Sequence, residues 1–194
     1  MPARTMLTRL LGPALLLAVA CAPAAPTAPA AQARPGTTPA ETLPAEIASL
    51  RIANARMPAP GLLTGGQVSR EQMSALRALG YRSFISLRPA GEAGTGWEEE
   101  FTRSEGVSFE RIPVAGEADV TRDRAGRLAA ALRAAGGGPA VVYCSSGNRV
   151  GALLALQARY VDGRSPGEAL AFGRQAGLTR LEPKVREILG LPAD

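Results

Sequence analysis

Val141-Val142-Tyr143-Cys144-Ser145-Ser146-Gly147-Asn148-Arg149-Val150-Gly151-Ala152-Leu153-Leu154 is the stretch on which the fold of this chain turns. The run Pro139–Tyr143 is apolar and β-branched, the pattern of a buried strand. A helix follows from about Val150 to Tyr160. Between them lies a short turn in which a cysteine is followed by four residues and then an arginine. Gly147 permits positive φ, and such a turn points successive backbone N–H groups inward to make a concave nest for an anion. The helix N-terminus and the Arg149 guanidinium both favour the thiolate form of Cys144. The thiolate is the nucleophile. Arg149 can grip two oxygens of a tetrahedral anion, and the loop amides meet charge as it develops in the transition state. Cys144 and Arg149 are therefore the expected catalytic pair. Ser145, Ser146, Gly147, Asn148 and Val150 are the expected substrate-binding nest.

Strand-like and helix-like patterns alternate on either side of this loop. Gly61–Thr64 is a short extended piece. Ser69 with Gln72 forms a capping box ahead of a helix whose apolar face is Met73, Leu76 and Leu79, stopped by Gly80. Arg82–Leu87 reads as a buried strand. Thr95 with Glu98 is a second capping box, opening a helix that carries Trp97 and Phe101 one turn apart; these two are core rather than a binding patch. Val107–Val114 alternates as a strand. Thr121–Ala135 is an Arg/Ala/Leu helix ended by Gly136-Gly137-Gly138. Ser165-Pro166-Gly167-Glu168 places an N-cap, a first-turn proline and a capping glutamate. Pro183 starts the last helix, with Val185, Ile188 and Leu189 inward. Alternating strands and helices imply a three-layer α/β/α domain on a mainly parallel sheet of about four to five strands. In such sheets ligands bind at the carboxyl ends of the strands.

The chain has 194 residues, two cysteines and no histidine. That removes a Ser-His-Asp triad, a Cys-His dyad, a His-ligated zinc and an imidazole base. Two cysteines make neither a Cys-rich metal site nor a disulfide framework, so no metal or other cofactor is implied. Hydrophobic residues are 46% and charged residues 20% of the chain, which suits a globular domain. The formal charge is +5, but the arginines are scattered rather than clustered. A nucleic-acid partner is not indicated.

Residues 1–20 read as a secretory signal. Arg4 and Arg9 form its basic region, and Leu10–Ala20 is an apolar stretch too short to span a bilayer. The end, Leu17-Ala18-Val19-Ala20-Cys21, resembles a bacterial lipobox, which makes Cys21 the expected lipidated first residue of the mature chain. A plain signal peptide cut near Ala20 is the alternative. Either places the domain outside the cytoplasm; with the lipid it is periplasmic and held to a membrane. Residues 21–44 are rich in Ala, Pro and Thr and read as an extended tether. Residues 45–194 make one domain.

The Cys144–Arg149 loop resembles the active loops of cysteine-dependent phosphatases and of rhodaneses. Pro60-Gly61-Leu62-Leu63-Thr64-Gly65-Gly66-Gln67 is similar to the segment that opens many dual-specificity-type phosphatase domains. Ser86-Leu87-Arg88-Pro89 and Ile112-Pro113-Val114 resemble further landmarks. Tyr143–Leu154 looks very like the loop of two bacterial groups: the phosphatase-like domain of beta-lactamase-hydrolase-like proteins, and the dual-specificity phosphatase module found fused to NAD kinase. The resemblance covers about residues 50–160. It departs from the usual phosphatase at three places. Four residues, not five, separate the cysteine from the arginine, as in rhodaneses. Tyr143 stands where phosphatases usually have His, and Val150 where they often have Ser or Thr.

The resemblance implies a hydrolase of phosphate monoesters working through a cysteinyl-phosphate, on a phosphorylated protein or a small phosphoester. It also implies an aspartate as general acid on a loop after an upstream strand. Asp119 fits that place; Glu117 and Asp123 are its rivals, and Asp123 can instead complement a helix dipole. Arg88 either binds substrate or pairs with a carboxylate such as Glu92. Gln67 either supports the active loop or caps local backbone. Two other readings stand beside hydrolysis: a sulfurtransferase carrying a Cys144 persulfide, and a catalytically silent anion-binding module.

Overall fold

A computed structural model describes residues 43–193. The signal, Cys21 and nearly all of the tether lie outside the described residues. After a short helix α1 (Ala45–Ser49) come β1 (Arg56–Ala59), β2 (Leu62–Gly65), α2 (Arg70–Ala78), β3 (Ser83–Ser86), α3 (Glu98–Glu105) and β4 (Ser108–Arg111). A single 3-10 turn at Glu117–Asp119 leads to α4 (Arg122–Ala134), β5 (Ala140–Tyr143), α5 (Asn148–Tyr160), α6 (Pro166–Gln175) and α7 (Glu182–Leu189). The five strands form one sheet in the order β1-β2-β5-β3-β4. Only β1 is antiparallel to its neighbour; β2, β5, β3 and β4 run parallel.

The central strands β3 and β5 are buried along their whole length. Alternate residues therefore serve opposite layers. Phe84, Val141 and Tyr143 enter one core with Met73 and Leu76 of α2, against which Trp97 and Phe101 pack. Ile85, Val142 and Cys144 enter the other, with Leu128 of α4, Leu153 and Leu156 of α5, and Val185 of α7. This is the expected α/β/α sandwich, with β5 at its centre and Cys144 one step past its carboxyl end.

The capping boxes at Ser69/Gln72 and Ser165/Glu168 form as expected. The one at Thr95/Glu98 does not. Trp97 is the N-cap of α3 and makes no side-chain cap. The Thr95 hydroxyl instead faces Glu92 O (2.7 Å) and Ala90 O (2.8 Å), with its one proton to share between these carbonyls. Glu98 turns inward, accepting from Gly96 N at 2.8 Å and from Arg111 at 3.2 Å. Leu79, expected inward, is 43% exposed because it falls beyond the last full turn of α2. The ladder of β4 ends at Arg111, where its partner β3 ends at Ser86.

Gly151 of α5 is where the α6–α7 connection comes closest. A Cβ there would lie 2.1 Å from Leu178 N and 2.6 Å from Gly173 O, both backbone atoms. Overpacking costs typically about 1–3 kcal/mol, and immobile backbone puts this site at the upper end. Gly151→Ala is expected to lower the urea unfolding free energy by about 3 kcal/mol; a loss under about 1 kcal/mol would show that the helices slide apart freely.

Candidate active site

The loop after β5 is pinned from both sides. Cys144 N donates to Gly65 O at 3.2 Å, and Ser146 O accepts from Asn54 Nδ2 at 3.1 Å. Gly147, at φ +85°, is the N-cap of α5. Its N–H turns back onto the Cys144 sulfur at 3.1 Å. The first α5 amide with a helical acceptor is Gly151 N, bonded to Gly147 O at 2.9 Å. The N–H groups of Asn148, Arg149 and Val150 have no acceptor inside the helix. They leave its N-terminus as free donors beside the sulfur, the arrangement that receives an anion.

Arg149 is held by Glu92, a carboxylate that the sequence suggests only as a partner for Arg88. Its Nη1 donates to Glu92 Oε2 and its Nη2 to Glu92 Oε1, each at 2.8 Å. Nη1 also donates to Val114 O at 2.8 Å, and Nη2 to Ser145 Oγ at 2.9 Å. Glu92 and Val114 thus occupy the far end of the guanidinium. The edge formed by Nε–H and the Nη2–H now on Ser145 is left for a ligand, with the Ser145 hydroxyl standing where an anionic oxygen would sit. The Glu92 hydrogen bonds raise the Arg149 pKa, and the nearby Cys144 sulfur adds to the rise. Glu92 is held down at about 2, chiefly by Arg149 and then by Arg88.

Arg88 is placed as a brace on Glu92, the carboxylate pairing that the sequence offers for it. It is 6% exposed and each of its three nitrogens has a partner: Nε donates to Glu92 Oε1 at 2.8 Å, Nη1 to Gln67 Oε1 and Nη2 to Ala93 O. Gln67 therefore supports the active loop through the chain Gln67–Arg88–Glu92–Arg149. The Asn148 side chain also leaves the expected nest, and its backbone N–H stays there. Its Oδ1 accepts from Thr179 N (2.8 Å), Thr179 Oγ1 (3.1 Å) and Leu181 N (3.2 Å), fastening the α6–α7 connection to the first turn of α5. The Val150 side chain is buried in the core, so only its amide faces the loop. Ser145 is exposed and Ser146 half-buried at the rim.

Tyr143 lies on the other face of the sheet from Cys144, fully buried, and its hydroxyl has no hydrogen-bond partner among the described residues. Burial, with the negative Glu98 nearby, pushes its pKa upward. It stays neutral and turned away from the sulfur.

The connection from β4 to α4 reaches the site through Val114. Asp119 is tied within this connection: Oδ2 accepts from Ala115 N at 2.7 Å and Oδ1 pairs with Arg124 at 2.8 Å. Arg124 Nε holds Pro113 O at 2.8 Å. Glu117 is exposed at the start of the 3-10 turn. Asp123 is exposed in the first turn of α4. Glu92 is the residue sequence reasoning undervalued. Its signal was two arginines, Arg88 and Arg149, both placed at a parallel-sheet carboxyl edge and both needing an acid.

Solved structures of the same fold include a DUF442 protein from Shewanella putrefaciens CN-32. It is 19% identical with a TM-score of 0.57, over 72% of this chain and 93% of that one. Tk-PTP in its active form is 16% identical with a TM-score of 0.57, over 70% and 95%. The core catalytic domain of the PP-IP phosphatase SIW14 from S. cerevisiae, in complex with citrate, is 14% identical with a TM-score of 0.57, over 74% and 87%. At these identities the likeness establishes the fold. No curated protein sequence matches the chain. The family model described as "Beta-lactamase hydrolase-like protein, phosphatase-like domain" matches residues 54–160, from the Asn54 that holds Ser146 to the end of α5. With its cysteine-and-arginine loop on a phosphatase-like sheet, the chain belongs to that family of phosphatase-like domains.

Proposed function

We propose that the protein is a cysteine-dependent phosphatase that hydrolyses phosphate monoesters through a cysteinyl-phosphate. The Gly147 N–H on the Cys144 sulfur carries this reading: the loop presents an amide to the sulfur and free amides beside it, with Arg149 in the same loop. The Cys144 thiolate attacks phosphorus, the S–P bond forms, and the ester P–O bond breaks. Arg149 and the α5 amides hold the equatorial oxygens, and an acid of the Pro113–Asp119 loop protonates the leaving oxygen. Water then displaces the sulfur and phosphate leaves. Phosphatase names among the structural neighbours support the same chemistry, on a phosphorylated protein or a small phosphoester.

Export and lipid anchoring through Cys21 belong to this proposal. Their support is the basic and apolar order of residues 1–20 and the small residues before Cys21. Cys21→Ser is expected to move the chain from the membrane fraction to the soluble one.

The deciding assay uses the purified chain with an aryl phosphate, and in parallel with thiosulfate and cyanide. Phosphate release that stops on thiol alkylation supports the proposal. Thiocyanate formation without phosphate release would replace it with the sulfurtransferase reading, which the four-residue spacing favours. Phosphate binding with neither activity would leave an anion-binding module.

A further inference from the structure

We infer that Glu117 is the proton donor to the leaving oxygen, and that Asp119 is the positioning residue that holds it over the site. This rests on the phosphomonoester reading above.

A proton donor must reach the leaving oxygen and must hold a proton to give. Glu92 fails the second demand. Both its oxygens are engaged by Arg149, one also by Arg88, and these cations keep it ionised. Asp119 also has both oxygens engaged as acceptors, one by Ala115 N–H and one by Arg124. A carboxyl used in this way is turned inward and closes its own loop. Glu98 and Glu99 are bound to Arg111 on the layer formed by α3. Asp123 sits inside the first turn of α4, past the Thr121 cap, where it complements the helix dipole.

Glu117 remains. Its side chain has no hydrogen bond or ion pair among the described residues, and the residue is exposed. Its loop is fixed at the site by Arg149 Nη1 on Val114 O, 2.8 Å. Glu117 lies three positions after Val114, at most about 10 Å of extended chain. The connection does not extend: Ala115 N–H closes onto Asp119, and Asp119 N onto Gly116 O at 3.1 Å. Glu117 therefore stands at the apex of a short closed turn whose base touches the arginine that grips the phosphoryl group. The Asp119–Arg124–Pro113 ties explain why that turn keeps one shape.

The proton balance is complete within the chain. As the P–O bond breaks, the Glu117 carboxyl gives its proton to the leaving oxygen and becomes a carboxylate. As water attacks the cysteinyl-phosphate and the S–P bond breaks, the same carboxylate takes a proton from the water.

The test compares Glu117→Gln, Glu117→Asp and Asp119→Asn on two esters: phenyl phosphate, whose leaving group needs a proton, and 4-nitrophenyl phosphate, whose leaving group does so far less. Glu117→Gln is expected to lower kcat on phenyl phosphate by about 10²–10⁴-fold, with a much smaller loss on the nitrophenyl ester. The alkaline fall of its kcat–pH profile should disappear, and Glu117→Asp should restore part of the rate. Asp119→Asn is expected to lower both esters alike. An unchanged Glu117→Gln rate, or an equal loss on both esters, overturns the assignment. A leaving-group-dependent loss in Asp119→Asn alone would transfer the role to Asp119. If the unsubstituted chain cleaves neither ester, the phosphomonoester reading itself has failed, and this inference with it.

Discussion

A Cys144→Ser chain is expected to release phosphate from aryl phosphates at the background rate, a loss on the order of 10⁴–10⁶, while still binding inorganic phosphate. The size follows from what the loop can and cannot do. Cys144 supplies a sulfur nucleophile that accepts the Gly147 N–H at the N-terminus of α5. A serine hydroxyl keeps its proton at neutral pH unless a base removes it. In a chain with no histidine, Glu92 and Asp119 are committed to Arg149, Arg88 and Arg124 and Glu117 serves the leaving oxygen, so no base among the described residues is left for residue 144. The oxygen analogue is left protonated and inert. Binding depends on other groups, the first-turn amides of α5 and the open edge of Arg149, and should survive. Titration of phosphate into the variant, with its hydrolysis rate, checks both halves. Substantial residual hydrolysis would mean that another group attacks phosphorus. Loss of phosphate binding would mean that the sulfur, through the Gly147 N–H it accepts, is needed to hold the loop open.

The strand, loop and helix around Cys144 were legible because every local signal there agrees. Val141 and Val142 favour a strand, Gly147 takes the positive φ the turn needs, and the Ala/Leu run continues as helix. The α5 start was misplaced by about two residues, at Asn148 instead of near Val150. Asn148 looks like a loop residue until its three acceptor bonds to the Thr179–Leu181 turn are known, and those come from far along the chain. The same reason hid β1. Arg56–Ala59 contains Pro58, which belongs at an edge, and only its pairing with β2 makes it a strand. The cap of α3 failed where a buried ion pair overrode a local preference. Glu98 serves Arg111 across the layer, and Thr95 closes its own loop instead. For the site, residue types that carry chemistry were readable, but their division of labour was not. Arg88, Arg149 and Asp119 are all charged residues at the right end of the sheet. Which grips substrate and which braces a neighbour depends on the donors already taken.

Glu92→Gln carries that last point into a measurable effect: kcat/KM on an aryl phosphate is expected to fall about 10²–10³-fold. The substituted amide keeps one oxygen but turns its other atom into a donor, facing an Arg149 Nη that is also a donor. Arg149 then loses one arm of a bidentate clamp and turns about its stem, and a misplacement near 1 Å at such a group costs about 10²-fold. Glu92→Asp keeps the charge on a shorter stem and should fall between. Stability should follow, with a sign fixed by the depressed pKa. Glu92 is held at about 2 against an ordinary 4.5, so its stabilisation is full above the unfolded value and is lost as pH falls toward 2. With its side chain 28% exposed, the contribution is about 2–3 kcal/mol. Urea unfolding should therefore separate the parent from Glu92→Gln by that amount at pH 7, with the gap closing between pH about 4.5 and 2. A variant that turned over as fast as the parent would sink the clamp. One that bound phosphate more tightly would reverse its meaning, since Glu92 would then be a competitor for Arg149 that substrate must displace. The geometry argues against competition: Glu92 holds the Nη1–Nη2 end of the guanidinium, and the Nε edge beside Ser145 Oγ is left for the substrate.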